Sequence, residues 1–109
     1  GGYTGVHQFC QVGAHSITGI GTVVLQDVPP YITASGDTAK PYGINVEGLK
    51  RRGFAAGTIT HLRRAYKTLY RSSLTLEQAK KALARQVKDC PEVQALLDFL
   101  AGTTRGIIR

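Results

Sequence analysis

Cysteine is scarce in this sequence, and methionine and tryptophan do not occur at all. The two cysteines, Cys10 and Cys90, lie in unrelated contexts and form no CxxC motif. They therefore exclude the dense cysteine framework of a small secreted domain. This usage fits a reduced compartment, so we expect a cytoplasmic protein.

Long hydrophobic runs are also missing. No stretch approaches the roughly eighteen consecutive apolar residues that a membrane-spanning helix needs. The first residues, GGYTGVHQFC, contain neither the charged region nor the apolar region of a secretory signal. The sequence predicts no membrane span and no secretory signal.

Acidic residues are few, and the charge is unevenly distributed. The chain has 14 Lys and Arg against 7 Asp and Glu, a net charge of +7 over 109 residues. Up to residue 46 there are only Asp27, Asp37 and Lys40, so the excess of cations follows that point. A chain of this length with 42% apolar residues closes one modest core. The charge asymmetry predicts two substructures with different roles.

A six-residue repeat is present in the nearly uncharged part. From Val6 the chain reads VHQFCQ, VGAHSI, TGIGTV and VLQDVP, with Val6, Val12, Thr18 and Val24 leading the four blocks. Such a period is typical of a β-solenoid in which three blocks complete one triangular coil and the leading residues point inward. An ordinary β-sandwich with valine-rich strands is the alternative.

The repeat ends in DVPPYITASGDTAKPYG, where prolines and glycines interrupt regular strands. The chain begins without methionine inside the repeat, and a solenoid this short buries little core. We therefore expect further coils before Gly1. The strand part and its exit loop are predicted to occupy residues 1–44, and an α-helical domain residues 45–109.

Helical periodicity characterises the second part. One apolar stripe comprises Ile59, Leu62, Tyr66 and Leu69; a second comprises Leu76, Ala79, Leu83 and Val87; a third comprises Val93, Leu96, Leu97 and Leu100. Thr75 and Gln78 have capping-box spacing, and Pro91 and Gly102 are placed as start and stop signals. A short helical turn is predicted around Val46–Arg52.

The cations of the helical part have several possible partners. Net charge suggests nucleic acid, but there is no aromatic platform and no helix-turn-helix spacing. Dispersed cations such as Arg63, Lys80 and Arg85 fit a solvated face or a docking surface for an acidic partner. Lys50, Arg51 and Arg52 are different, because Gly48 and Gly53 bracket them.

Arginine suits a pair of phosphate oxygens. Since adjacent residues do not share a helix face, we expect one arginine of the pair to meet a structural carboxylate and the other to meet a ligand. A salt-bridged helix start is the alternative.

Four segments resemble one known family: VHQFCQVGAH, QDVPPYITASGD, GINVEGLKRRGF and TTRGIIR. In this order they are similar to the C-terminal part of the UDP-N-acetylglucosamine O-acyltransferases of lipid A synthesis. The resemblance implies the end of a left-handed parallel β-helix followed by a C-terminal helical domain, in a homotrimer with active sites between subunits. No cofactor is implied.

The implied reaction moves a 3-hydroxyacyl chain from acyl carrier protein, itself acidic, to the 3-hydroxyl of the glucosamine in UDP-N-acetylglucosamine. In this family a histidine acts as general base, for which a pKa near ambient pH is suited. That histidine lies upstream of VHQF, so the resemblance places no catalytic residue in this chain.

The resemblance also implies substrate-binding residues. His7 and Gln8 match a pair that contacts the sugar nucleotide, and Asn45, Glu47 and Arg51 match positions near the nucleotide. Arg52 is the expected diphosphate contact. His15 matches no catalytic position and is expected to be structural.

Acyl-chain length in this family depends on bulk at the floor of a cleft between coils. Ile20 matches a position where small residues admit longer chains, and Thr38 lies near the end of the cleft. The branched Ile20 side chain therefore predicts a shorter preferred chain.

Other classes of protein share parts of this pattern. A different hexapeptide-repeat acyltransferase would use acetyl-coenzyme A or another sugar, and a non-catalytic, trimerising β-helix module would have no substrate. Zinc needs three or more protein ligands. His7, His15 and His61 lie in unrelated contexts, so we expect no metal site.

Overall fold

In the computed structural model, residues 4–6, 10–103 and 106–109 are described. Five strands come first, and four helices follow. The strands are β1 (Gly5–Val6), β2 (Ile17–Thr18), β3 (Val23–Val24), β4 (Ile32–Ser35) and β5 (Lys40–Ile44). The helices are α1 (Val46–Arg51), α2 (Ala56–Tyr70), α3 (Leu76–Gln86) and α4 (Val93–Gly102).

The short strands form parallel ladders between consecutive passages of the chain. β1 pairs with β3 with Val6 opposite Val24, which are the first and fourth leading residues of the repeat. Three six-residue blocks thus separate the paired positions, as the repeat predicts. β2 pairs with β4 with Thr18 opposite Ala34, and an isolated bridge joins Val12 to Val28. The partners in these later pairs are closer in sequence, because the segment from Val24 to Val28 is shorter than a six-residue block.

Pro29 and Pro30 lie directly beside Gly13. A Cβ atom at Gly13 would lie 2.3 Å from the backbone nitrogen of Pro30, a distance that no side chain tolerates. Glycine at position 13 is therefore required by close backbone approach. The two prolines end the regular repeat and still fit closely against the preceding passage of chain.

β5 reverses direction and pairs antiparallel with β4. The chain reverses through Gly36, whose φ of 103° suits glycine. The last residues return to the strands, where Ile107 forms a parallel bridge with Asp27. The two ends of the helical part are therefore both attached to the strand part.

The predicted stripes of the helices form the main core. On α2 the residues Ile59, Leu62, Tyr66 and Leu69 are all buried, and on α3 and α4 so are Ala79, Leu83, Val93, Leu96 and Leu100. Leu76, Val87 and Leu97 are partly buried against this core. The Thr75–Gln78 capping box is also confirmed, with both reciprocal hydrogen bonds present.

A second core fills the strand part. It contains Val24, Val28 and Ile32 together with Tyr66 from α2 and Ile108 from the C-terminus. Val24 is fully buried, whereas Val6 and Val12 are about half exposed, at 48% and 46%. Among the described residues, no helix is long and apolar enough to cross a membrane.

Candidate functional site

The α1 helix is attached to the strand part through Asn45. The Asn45 side-chain oxygen accepts a hydrogen bond from the backbone N–H of Gly48 at 3.2 Å, which caps the helix. The side-chain Nδ2 donates to the backbone oxygen of His15 at 3.1 Å. The backbone N–H of Asn45 donates to the carbonyl oxygen of Tyr31 at 2.7 Å. Successive passages of the chain, at His15, Tyr31 and Asn45, thus hold the start of α1.

The local structure explains why glycine occupies both positions that flank the cationic triplet. A Cβ atom at Gly48 would lie 2.3 Å from Asn45 Nδ2, so the capping side chain occupies that space. Gly53 has a φ of 83° and follows the helix. Its N–H donates to the oxygen of Lys50, and the N–H of Phe54 donates to the oxygen of Leu49. This is a Schellman motif, which ends α1 directly after the triplet.

Lys50, Arg51 and Arg52 are all exposed. Neither Arg51 nor Arg52 forms an ion pair with a described residue, so the expected contact of one arginine with a structural carboxylate stays a prediction. Lys80 and Glu77 form the one salt bridge within the described ranges. Arg51 ends the helix and Arg52 is its C-cap. Both guanidinium groups are therefore free of described acidic partners, and the negative end of the helix dipole favours cations there.

Glu47 lies in the first turn of α1 and is exposed, where its charge complements the positive end of the helix dipole. Leu49, on the opposite side, is fully buried. The buried leucine fixes the helix on the core while the charged residues face outward. The site thus presents one carboxylate and three cations on six residues.

An aromatic cluster lies beside this helix. The rings of His15 and Tyr31 are parallel, with centroids 6.0 Å apart, and Phe54 meets His15 edge-on at 5.0 Å. His15 and Tyr31 both have positive φ, 59° and 72°, values that are uncommon outside glycine. The sequence predicts only a structural role for His15 and identifies neither Tyr31 nor Phe54 as part of the site. No periodic signal identifies such turn residues.

Tyr31 connects this cluster to the helical part. Its hydroxyl donates to the backbone oxygen of Glu92 at 2.7 Å. Burial, with a smaller contribution from the charges of Glu92 and Cys90, raises the pKa of Tyr31 to about 12. Burial and the hydrogen bond to Glu92 raise the pKa of the Cys90 thiol. Cys90 is therefore a protonated core residue and not a nucleophile.

Ile20 and Thr38 lie at a different part of the strand region. Ile20 is in the turn between β2 and β3 and is 82% exposed. Thr38 is exposed and forms a parallel bridge with Val23. Beneath the Ile20 turn, the N–H of Gly19 donates to the oxygen of Ala34. Both residues thus belong to consecutive passages of the chain.

His7 and Gln8 lie outside the described residues, so their relation to α1 stays a prediction. The same holds for the part of the TTRGIIR segment at residues 104–105. Within the described ranges, no three His, Cys, Asp or Glu side chains come together to hold a metal ion.

A family model described as "Udp N-acetylglucosamine O-acyltransferase; Domain 2" matches residues 27–108. The acyl-[acyl-carrier-protein]--UDP-N-acetylglucosamine O-acyltransferase of Thiobacillus denitrificans is 59% identical over the whole chain, and that of Aliivibrio fischeri is 55% identical over 95% of it. The chain spans 42% and 40% of these two relatives.

Solved structures agree with this match. The LpxA of Acinetobacter baumannii has a TM-score of 0.95 at 43% identity, over all of this chain and 43% of that one. The UDP-N-acetylglucosamine acyltransferase of Francisella novicida has a TM-score of 0.93 at 37% identity, over 97% and 39%.

The parallel ladders and the helical part that follows them thus match solved structures of sugar-nucleotide acyltransferases over nearly the whole chain. The chain belongs to the UDP-N-acetylglucosamine O-acyltransferase family.

Proposed function

We propose that the protein transfers a 3-hydroxyacyl chain from acyl carrier protein to the 3-hydroxyl of UDP-N-acetylglucosamine, the first step of lipid A biosynthesis. The single observation that carries the proposal is the 59% identity, over the whole chain, to a relative named as an acyl-[acyl-carrier-protein]--UDP-N-acetylglucosamine O-acyltransferase. The exposed Arg51 and Arg52 support it, because two free guanidinium groups at a fixed helix end suit a diphosphate.

The short ladders are proposed to be the last coils of a left-handed parallel β-helix. The 18-residue offset from Val6 to Val24 supports this, since it equals three six-residue blocks. Residues 1–44 then form the terminal coils and exit loop, and residues 45–109 the C-terminal helical domain. We further propose a cytoplasmic homotrimer whose active sites lie between subunits.

The nucleotide is proposed to lie against the outer face of α1. Arg52 contacts the diphosphate, while Arg51 and Glu47 contact the nucleotide nearby, with His7 and Gln8 completing the site. Asn45 has a more specific role here. Its amide nitrogen donates to the backbone oxygen of His15, and its amide oxygen caps α1 at Gly48. Asn45 therefore positions α1 in addition to any contact with the nucleotide.

The acyl chain is proposed to extend toward Ile20 and Thr38. The general base is a histidine outside this chain, as the family resemblance implies. Proximity of the sugar hydroxyl to the thioester then contributes to the rate, because binding converts a bimolecular reaction into an effectively intramolecular one.

The test is an acyl-transfer assay with the full-length protein. 3-Hydroxyacyl-acyl carrier protein and UDP-N-acetylglucosamine are incubated with enzyme, with and without a chelator, and the acylated nucleotide is measured. We expect transfer that the chelator does not reduce. Transfer only from acetyl-coenzyme A would identify another hexapeptide acyltransferase, and no transfer from either donor would identify a non-catalytic module.

A further inference from the structure

A groove lies between β5 and α2, on residues that the proposed acyl transfer does not use. It consists of two adjoining cavities of about 500 Å³ and 420 Å³, which share Tyr66 and Arg71 as lining residues. We call it the β5–α2 groove. Its size is within the range of small-molecule sites in proteins.

The larger cavity has an apolar floor. Ile44, Val46 and Tyr66 line it. Tyr66 is buried, and its ring lies 5.1 Å from that of Tyr70. This half of the groove suits a hydrocarbon group, because contact with these side chains removes apolar surface from water.

The walls of the groove are cationic. Arg63 and Lys67 lie on one face of α2, and Arg71, the C-cap of that helix, follows at the same four-residue spacing. Lys40 and Arg109 line the smaller cavity. No described residue lining either cavity is acidic. Like charges at this spacing repel each other, so a bound anion would relieve the repulsion.

The smaller cavity also has a polar group without a described partner. The Tyr70 hydroxyl is buried and forms no hydrogen bond with any described residue. Buried hydroxyls normally have a partner. Burial, with a smaller contribution from Tyr66, raises the pKa of Tyr70, so the hydroxyl remains a proton donor despite the neighbouring Arg109.

We propose that the β5–α2 groove binds a phosphate-bearing amphiphile, with its hydrocarbon part against Ile44, Val46 and Tyr66 and its phosphate among Arg71, Lys40 and Arg109. Charge complementarity and the division into an apolar and a cationic half support this occupant. The proposal does not depend on acyl transfer, and either one can fail alone.

The test is calorimetric titration of the full-length protein with three probes: octyl phosphate below its critical micelle concentration, inorganic phosphate and octyl glucoside. We expect octyl phosphate to bind at least about tenfold more tightly than either of the others, since only it engages both halves. Equal affinities for octyl phosphate and inorganic phosphate would refute an amphiphile as the occupant and would indicate a site for simple anions. Equal binding of octyl phosphate and octyl glucoside would remove the role of the cations.

Variants assign the binding to the groove. Arg71→Gln should weaken octyl phosphate binding about tenfold, as expected for a charge-assisted hydrogen bond, while Tyr70→Phe should weaken it less. Arg85→Gln is the matched control, because Arg85 is an exposed cation on α3 outside the groove. Equal affinities for Arg71→Gln and Arg85→Gln, with native circular dichroism in both, would refute the site.

Discussion

Asp27 and Asn45 are polar residues that join distant parts of the chain. Asp27 is only 1% exposed. Its carboxylate accepts hydrogen bonds from the backbone N–H of Gln11 and from the Thr103 hydroxyl at the end of α4. Sequence patterns could not identify Asp27, because a single acidic residue before two prolines looks like part of an exposed turn. Its hydrogen-bond partners, Gln11 and Thr103, are far apart in sequence, and only the folded chain brings both of them to Asp27.

The Arg52 side chain is the expected diphosphate contact. Arg52→Ala should weaken nucleotide binding by about 1.5–3 kcal/mol, the range for a hydrogen bond to a charged group. Titration of the full-length protein with UDP-N-acetylglucosamine measures this change. Arg85→Ala, which removes an exposed cation on α3, should have little effect. Unchanged affinity in Arg52→Ala would show that the assignment is wrong.

Tyr31 should make stability depend on pH in alkaline solution. Its pKa is about 12 when folded and 10.0 ordinarily. The folded state therefore holds the proton more tightly. The resulting stabilisation is complete below pH 10 and is lost as pH rises toward 12.

Urea unfolding of the wild type and Tyr31→Phe between pH 8 and about 12 checks this sign. The phenylalanine variant lacks this titrating group, so we expect the difference in unfolding free energy between the two proteins to narrow over that range. Tyr70 is present in both proteins, so its contribution cancels from the difference in unfolding free energy. A constant difference would contradict the expected linkage.

At the scale of elements, sequence periodicity predicted the helices well. The buried stripes of α2 and α4 and the capping box of α3 are properties of neighbouring residues on one helix, so local sequence contains them. The attachment of α1 is different. It depends on the carbonyl oxygens of His15 and Tyr31, and both residues have unusual dihedral angles. The exposure of Arg51 and Arg52 likewise depends on the position at which α1 ends.

Gly48 tests the attachment of α1. Gly48→Ala would gain about 1 kcal/mol in helix propensity. It would also displace the Asn45 side chain, and loss of the cap costs about 0.5–2 kcal/mol. Since the hydrogen bond to His15 is lost as well, we expect a net destabilisation and a higher KM for the nucleotide.

Gly57→Ala is the matched control for this substitution. Gly57 lies in the first turn of α2, and a Cβ placed there meets no described atom within 4 Å other than its chain neighbours and the backbone of its own helix. We expect it to be neutral or stabilising by up to about 1 kcal/mol. Thermal unfolding of both variants distinguishes the cases, and equal stabilisation by the two alanines would contradict the capping role of Asn45.

At the scale of the whole molecule, Ile20 tests the proposed acyl-chain cleft. The full-length enzyme is assayed with 3-hydroxyacyl-acyl carrier proteins of graded chain length. Ile20→Gly should shift the preference toward longer chains, and Ile20→Ala should have an intermediate effect, because less side-chain volume blocks the methylene groups. The same preference in all three proteins would refute this role for Ile20.

The six-residue repeat predicted the spacing of the first ladder but not that of the later ones. Val6 and Val24 pair as three full blocks require, whereas Val12 and Thr18 pair with residues two positions earlier than the repeat predicts. The close approach of Pro29 and Pro30 to Gly13 accompanies this shorter passage. Only the folded structure shows that Pro29 and Pro30 fit against Gly13 where the repeat predicts a regular six-residue block.

The reversal of β5 has a consequence for how copies of the molecule can associate. A stack of parallel strands ends in a row of free backbone groups onto which another molecule could add, and repeated addition would produce fibres. β5 pairs antiparallel along β4, contains Pro41, which has no N–H to donate, and packs against α2. Pro41 and the packing of α2 therefore make this edge a poor template for the addition of another strand.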